Sequence, residues 1–217
     1  MRVAPLLLFA LLLLACAPAA VPGQPRADSV VVMLGRQGPP PCLGLPEEPC
    51  RYADRFVPTC AAFAVVHYEQ AMLATAAHCI PGAATSTTDL RFWAPNGWGH
   101  GHAGLVERND GADVAFLGVT EPGMLEPLRS GPMPVIGETV HSYSPVFRAS
   151  SSGRVSAWLG GGWFETTQTA VAGWSGSPVF NERGEVLGLV SKCPSPDGLA
   201  RGCMPGRVVV ATRGIQQ

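Results

Sequence analysis

Short apolar and β-branched segments, separated by Gly, Pro, Asn and Asp, recur along most of this 217-residue chain. Segments of this length bounded by turn-forming residues are typical of antiparallel sandwiches and barrels. No long stretch has the periodicity of an amphipathic helix, which argues against a doubly wound α/β fold. The pattern predicts an all-β protein with strands at residues 29–34, 61–67, 70–74, 89–93, 114–119, 139–144, 153–159, 165–171, 178–180, 186–191 and 207–211.

The length and charge of the chain limit its organisation and its partners. A chain of 217 residues falls within the range of single all-β domains. Its formal net charge is −1 and it contains no run of like charges, so nucleic acid is not an expected partner. We expect a Pro- and Ala-rich tether at residues 17–28 and one folded domain at residues 29–217.

The first 16 residues have the form of an export signal. Arg2 is followed by an apolar run that ends just before Cys16, and this run is shorter than the roughly 20 residues that span a bilayer. Residues 13–16 (LLAC) resemble the lipobox of bacterial lipoproteins, in which the cysteine is lipidated and becomes the mature N-terminus. The alternative is ordinary signal-peptidase cleavage after Ala17 or Ala19, because both follow a small-x-small pattern.

These two interpretations give two predicted locations. A lipidated Cys16 would make the protein a bacterial cell-envelope lipoprotein, periplasmic or at the surface and held to a membrane by its lipid. Plain cleavage would make it a secreted protein. We favour the lipoprotein, because the cysteine count agrees with it.

The chain has seven cysteines, which is an odd number. Assigning Cys16 to lipid leaves six, enough for three disulfides in an oxidising compartment: Cys42, Cys50, Cys60, Cys79, Cys193 and Cys203. A bridge between Cys42 and Cys50 could close the Pro-rich loop at 35–50. No two of the six have the tight spacing of a zinc knuckle, so no metal is expected.

Residues 173–178 (GWSGSP) are the segment that says most about the chemistry of the protein. A nucleophilic serine needs a backbone that turns sharply, so that its Oγ faces the substrate while nearby N–H groups point at the developing oxyanion. Gly173 and Gly176 provide that freedom around Ser175. Alone, such a segment is more often an ordinary turn.

Two further segments are consistent with the same chemistry. Residues 75–79 (TAAHC) place His78 after an apolar strand and beside a cysteine that could bridge to Cys60. Residues 113–117 (DVAFL) place Asp113 at the start of another strand, although a turn aspartate is the simpler interpretation of that residue alone. The order His, Asp, Ser is that of the chymotrypsin type and differs from the orders in α/β-hydrolases and subtilisins.

The motifs TAAHC, DVAFL and GWSGSP resemble those of the trypsin-like serine proteases. Residues 173–189 (GWSGSPVFNERGEVLGL) are especially similar to the bacterial glutamyl-endopeptidase branch, and the resemblance extends over about residues 57–211. It implies two perpendicular six-stranded antiparallel β-barrels with the active site in the cleft between them. It also implies a disulfide between Cys60 and Cys79, beside the catalytic histidine.

The resemblance implies a role for each matching residue. His78 would act as general base and acid, Asp113 would orient and stabilise its imidazole, and Ser175 would carry the acyl group. The backbone N–H groups of Gly173 and Ser175 would form the oxyanion hole. Ser191 would line the specificity pocket and support Asp113. The expected protein is a monomeric serine endopeptidase that acts on proteins or peptides and needs no cofactor.

Several positions depart from the family pattern. Trp174 replaces the aspartate that pairs with a new N-terminus in the animal digestive enzymes, so we expect an active site that forms without that ion pair. Thr169 stands where trypsins have their specificity aspartate, and Val190 where glutamyl endopeptidases have a histidine. By strand alternation Lys192, the only lysine, faces the same side as Val190. It would either attract an acidic substrate side chain or lie in solvent at the rim.

Other functions remain possible from these residues. A protease-fold binding or adhesion module without turnover, with Trp174 filling the cleft, is one alternative. An esterase is another, because the acyl-enzyme route is shared. His100 and His102, in a Gly-rich stretch, resemble a metal pair, but they lack accompanying carboxylates and are interpreted as part of a solvated loop.

Overall fold

The computed structural model describes residues 31–37, 56–80, 88–94, 97–120, 125–192 and 208–211. Twelve strands lie in these parts of the chain: β1 (Val31–Gln37), β2 (Phe56–His67), β3 (Gln70–Ala76), β4 (Thr88–Ala94), β5 (Gly97–Asn109), β6 (Val114–Val119), β7 (Thr139–Ser144), β8 (Ala149–Gly160), β9 (Trp163–Thr166), β10 (Pro178–Phe180), β11 (Val186–Lys192) and β12 (Val208–Ala211). A short 3-10 turn, Ala77–Cys79, follows β3. No helix within the described ranges is long and apolar enough to cross a membrane.

The strands form two closed antiparallel barrels of six strands each. The first has the order β1, β2, β3, β6, β5, β4, and β4 pairs back onto β1. The second has the order β10, β11, β12, β9, β8, β7, and β7 pairs back onto β10. Within the described parts of the chain, each strand of either sheet therefore pairs on both sides. The predicted all-β fold of two six-stranded barrels is therefore confirmed.

A tight hairpin between β2 and β3 sets the position of the end of β3. His67 pairs with Gln70, and the two residues between them, Tyr68 and Glu69, both have positive φ, at 47° and 63°. Two residues with positive φ form the type of turn whose twist matches that of the flanking strands. This hairpin aligns β3 on β2, and β3 leads directly into the 3-10 turn.

Side chains on the two opposite faces of β2 contribute to the first barrel's interior and to the contact between the barrels. Ala62 and Ala64 belong to the interior of the first barrel, whereas Phe63 and Val65 belong to a cluster that also contains Leu189 of the second barrel. Successive strand residues point to opposite faces of a sheet, so a single strand contributes to both clusters. The shared apolar cluster holds the first barrel against the second, and the ends of β3 and β6 lie close to it.

Two sequence predictions about the strands are wrong. β5 was expected to be a loop containing His100 and His102, because its glycines hide any alternation, yet it pairs with β4 from Gly97 opposite Ala94 to Ala103 opposite Thr88. The strand expected at 165–171 ends at Thr166. The chain leaves the sheet there because the Gln168 side chain turns inward and its buried amide donates to Ser142 Oγ and to the Ser151 carbonyl.

Several predictions fall on residues outside the described ranges. They are the export signal at 1–16 with Cys16, the tether at 17–28, and the cysteines at 42, 50, 193 and 203. They stay predictions.

Candidate active site

His78 lies in the 3-10 turn that ends β3. The next residue, Cys79, forms a disulfide with Cys60 of β2, and their Cα atoms are 6.0 Å apart. Ala77, on the other side, is fully buried. The backbone around His78 is therefore held from both sides, while its imidazole is exposed. The disulfide that the sequence resemblance implied is confirmed.

Asp113 closes the turn that precedes β6 and has a positive φ of 50°. Aspartate is one of the few residues other than glycine that adopt this left-handed conformation readily. The Asn109 side chain accepts a hydrogen bond from the Ala112 N–H and holds the turn. The Ala77 N–H donates to the Asp113 carbonyl at 3.0 Å. This turn is thus joined directly to the one that carries His78.

A continuous hydrogen-bonded chain links Asp113, His78 and Ser175. Asp113 Oδ2 lies 2.8 Å from His78 Nδ1, and His78 Nε2 lies 2.9 Å from Ser175 Oγ. Because an ionised carboxylate only accepts, Nδ1 carries the imidazole proton and Nε2 is free to accept from the serine hydroxyl. A serine hydroxyl therefore faces a base whose tautomer and orientation are set by a buried acid, which is the arrangement that activates a nucleophile.

The Asp113 carboxylate accepts three hydrogen bonds. Its Oδ1 accepts from the His78 backbone N–H at 2.9 Å, and its Oδ2 also accepts from the Ser191 hydroxyl. Burial alone raises the pKa of Asp113. The hydrogen bonds from the His78 ring, from Ser191 and from the His78 backbone, together with the electrostatic attraction of His78, outweigh the effect of burial. The pKa of Asp113 therefore lies below its ordinary value of 3.8, and the group is ionised at neutral pH.

The loop that carries Ser175 is fixed to both barrels. The Ser175 carbonyl accepts from the Ala61 N–H of β2 at 2.8 Å, and the Gly176 N–H donates to the Val190 carbonyl of β11 at 2.7 Å. Gly176 has a φ of +80°, and a Cβ added there would lie 1.9 Å from the Ala61 carbonyl oxygen. Only glycine fits at this point, where the loop of one barrel meets a strand of the other.

Replacing Gly176 by Ala is expected to destabilise the fold by roughly 3 to 5 kcal/mol, because the new methyl would overlap the Ala61 carbonyl and an L-residue is strained at this φ. The thermal midpoint should fall by about 10 °C. Gly184→Ala is the matched control, because Gly184 has a φ of +74° but nothing within 4 Å of an added Cβ. Equal shifts in the two variants would contradict the close approach at Gly176.

Trp174 packs beneath the loop and not into the cleft. Its side chain is 6% exposed and lies in the second-barrel core with Phe164 and Leu187. Its backbone N–H donates to the Val171 carbonyl at 3.0 Å. Ser177 is fully buried, and within the described residues its Oγ has no hydrogen-bond partner. Ser175 is therefore the serine of this loop that faces His78.

The backbone N–H groups of Gly173 and Ser175 are available to a ligand. Within the part of the chain that the structure describes, neither donates a backbone hydrogen bond. The N–H of Trp174, between them, is used inside the turn. An oxyanion hole at the predicted positions requires that the N–H groups of Gly173 and Ser175 make no other hydrogen bond, and the described structure meets this requirement.

The four residues predicted to shape specificity lie in different surroundings. Thr169 is exposed, whereas Val190 is buried in the core of the second barrel. Ser191 donates to Asp113, as the sequence resemblance implied. The pairing of β11 with β12 shifts register between Val190 and Lys192. The side that Lys192 faces stays a prediction.

A comparison with family models matches residues 62–189 to the trypsin-like peptidase domain. The match covers more than half of the chain and includes His78, Asp113 and Ser175. The chain belongs to the trypsin-like peptidase family. A comparison with curated proteins gave no match. As a trypsin-like peptidase the protein is a hydrolase, and its substrates are proteins or peptides.

Two residues that sequence reasoning missed also shape the site of this trypsin-like peptidase. Thr75 is fully buried, donates to the Ala61 carbonyl at 2.7 Å, and lies against Gly176. The sequence feature that could have identified Thr75 is its position at the start of the TAAHC motif. Phe147, in the turn between β7 and β8, packs against Gly173. No local pattern in the sequence indicates that contact, because the two residues are far apart in the chain.

The histidine and cysteine side chains near the site do not form a thiolate metal centre. Ligand atoms of Cys60, His78 and Cys79 lie within 4.8 Å of one another. The two sulfur atoms are bonded to each other, so neither is a thiolate that could bind a metal. The imidazole of His78 is instead engaged with Asp113 and Ser175.

Proposed function

We propose that this protein is an exported serine endopeptidase that hydrolyses peptide bonds through an acyl-enzyme on Ser175, with His78 and Asp113 completing a catalytic triad. One observation carries the proposal. In a chain of the peptidase family, Ser175 Oγ lies 2.9 Å from His78 Nε2, and His78 Nδ1 lies 2.8 Å from the Asp113 carboxylate.

In the proposed first half-reaction, Ser175 Oγ attacks the scissile carbonyl carbon while His78 Nε2 takes the hydroxyl proton. Asp113 keeps the Nδ1 proton in place and stabilises the imidazolium that forms. The tetrahedral oxyanion then collapses, the C–N bond breaks, and the leaving amine takes the proton from Nε2. Ser175 is left as an ester of the new carboxyl group.

In the second half-reaction, water gives a proton to His78 Nε2 and attacks the ester carbonyl. Collapse of the second oxyanion breaks the ester bond, and the proton returns to Ser175 Oγ as the acid leaves. In both steps the N–H groups of Gly173 and Ser175 would donate to the oxyanion. Loss of one such donor costs about 10²- to 10³-fold in kcat.

A catalytically silent binding module of the same fold is the competing hypothesis. It assumed that Trp174 fills the cleft, but Trp174 is buried in the second barrel. An esterase would share the acyl-enzyme. Parallel assays on peptide and small-ester substrates separate the esterase from the endopeptidase.

Labelling by a fluorophosphonate probe tests the proposal, since the probe reacts with a serine hydroxyl only when a neighbouring base activates it. We expect one probe per folded molecule, located on Ser175 by mass spectrometry, and none after thermal unfolding. The Ser177→Ala variant should label like the wild type, because Ser177 is fully buried. A folded protein that takes up no probe, or takes it up at another residue, would contradict the assignment.

Export is part of the proposal and rests on residues 1–16. The lipoprotein alternative places a diacylglyceryl group on Cys16, and the multiple acyl chains of a lipoprotein would anchor it stably. The secretion alternative places an unmodified N-terminus after Ala17 or Ala19. The mass of the mature N-terminal peptide distinguishes the two.

We also propose a relationship to the bacterial glutamyl-endopeptidase branch, supported by the similarity of residues 173–189. The proposal does not extend to glutamyl specificity, because Val190 replaces the histidine of that branch and is buried. Trypsin-like specificity is not part of it either, because Thr169 carries no negative charge. Cleavage-site profiling on a denatured proteome measures the preference directly.

A further inference from the structure

The geometry points to Phe147 as a positioning residue that holds Gly173 in the conformation required of an oxyanion-hole donor. This inference rests on the proposed function and extends it to a residue outside the family motifs. Phe147 reaches the loop at Gly173, and the proposed effect is exerted through that residue.

Phe147 lies in the turn between β7 and β8, in the second barrel. Its ring lies on the side of Gly173 from which a side chain would project. A Cβ added to Gly173 would lie 3.1 Å from Phe147 Cε2, 3.2 Å from Phe147 Cζ and 3.7 Å from Val146 Cγ1. The two distances to Phe147 are shorter than an ordinary van der Waals contact, so the ring occupies the space that a side chain at position 173 would need.

Among the residues of this loop, Gly173 is the one whose backbone conformation depends most on a contact with Phe147. Its neighbours are fixed by other means: Trp174 by its buried ring and its hydrogen bond to Val171, and Gly176 by the first barrel. Gly173 has a φ of +95°, and its N–H donates no backbone hydrogen bond within the described residues. Glycine has more conformational freedom to lose than any other residue, and the Phe147 ring restricts it.

The Phe147 ring is partly exposed to solvent, although it is apolar. Phe147 is 48% exposed, in a turn that also contains Arg148 at a φ of +50°. Its packing on Gly173 orients a donor before substrate arrives. Donors fixed in advance stabilise a developing oxyanion without reorganisation during the reaction. The barrier to acyl transfer is therefore the quantity that Phe147 should change.

Phe147→Ala is expected to lower kcat by about 10- to 100-fold, which is less than the loss of a whole donor, and to leave KM unchanged. Phe147→Tyr retains the ring and should restore kcat. Leu159→Ala is the matched control, because Leu159 is a 51% exposed apolar side chain on β8 of the same barrel. Its kcat should equal that of the wild type.

Amide hydrogen exchange of residues 171–176 tests the same inference without any turnover. We expect faster exchange in Phe147→Ala than in the wild type and in Leu159→Ala. Unchanged exchange would overturn the inference even if kcat fell, and a rise in KM at constant kcat would overturn it by showing that Phe147 contacts substrate. If the wild type neither turns over nor labels, the proposed function fails, while the exchange comparison still decides whether Phe147 positions Gly173.

Discussion

Replacing Ser175 by Ala is expected to lower kcat by about 10⁶-fold, since the variant has no hydroxyl to form the acyl-enzyme. The His78 imidazole would lose the partner that lies 2.9 Å from its Nε2, but its bond to Asp113 would remain. Residual turnover of about 10³- to 10⁴-fold over water is expected from the oxyanion hole and substrate binding alone. Hydrolysis of an unstructured protein substrate, followed over hours, measures the loss.

The control for this substitution is Ser177→Ala in the same loop. Ser177 is fully buried, and within the described residues its Oγ has no hydrogen-bond partner, so its removal should leave both kcat and stability near the wild-type values. The Ser175→Ala variant should keep the wild-type thermal midpoint, which excludes unfolding as the cause. Comparable turnover in Ser175→Ala and the wild type would refute the assignment of the nucleophile.

Asp113→Asn is expected to lower kcat by about 10⁴-fold, because the amide would select the wrong tautomer of His78. One hydrogen bond fixes how the amide must turn. The His78 backbone N–H donates to Oδ1, so the amide oxygen must stay there. The NH₂ group then faces His78 Nδ1, which becomes an acceptor, and the proton moves to Nε2. A protonated Nε2 cannot take the proton of Ser175.

The matched control is Asp110→Asn, the same chemical change three residues away in the same turn. Asp110 is exposed and pairs with Arg108, so this variant should retain wild-type kcat. Asparagine, like aspartate, tolerates the φ of +50° at position 113, so backbone strain does not account for the loss. A wild-type kcat in Asp113→Asn would contradict the role of Asp113 in orienting His78.

The lowered pKa of Asp113 also links this residue to stability at acid pH. Because its pKa in the folded protein lies below 3.8, the carboxylate contributes stability that is fully present above that value and is lost as pH falls through the folded-state pKa. The stability of Asp113→Asn should therefore fall less steeply below pH 3.8 than that of the wild type. Urea unfolding at a series of acid pH values measures the difference.

The strands that the sequence predicted correctly are those with continuous apolar or alternating patterns. β6 and β7 were predicted at 114–119 and 139–144 and begin and end at those residues. β5 was missed because glycine, which has no side chain, leaves no alternation to detect. β9 was misplaced because Gln168 satisfies its amide with Ser142 and Ser151, and those partners are distant in the sequence.

The candidate site was predictable where it consists of motifs. The segments TAAHC, DVAFL and GWSGSP contain the three residues that the structure brings into one hydrogen-bonded chain. The place of Trp174 was not predictable, because the sequence allowed it either under the loop or in the cleft. Its burial among the side chains of the second barrel depends on how that barrel closes.

The sequence by itself therefore determined the all-β class, most strand positions and the residue types of the site, because these follow from local periodicity and short motifs. Only the tertiary structure decided which distant groups touch, such as Gly176 against Ala61 and Phe147 against Gly173. Such contacts depend on how two closed barrels and their loops pack together. Packing is set by the shapes of many side chains at once, which no single segment of the chain contains.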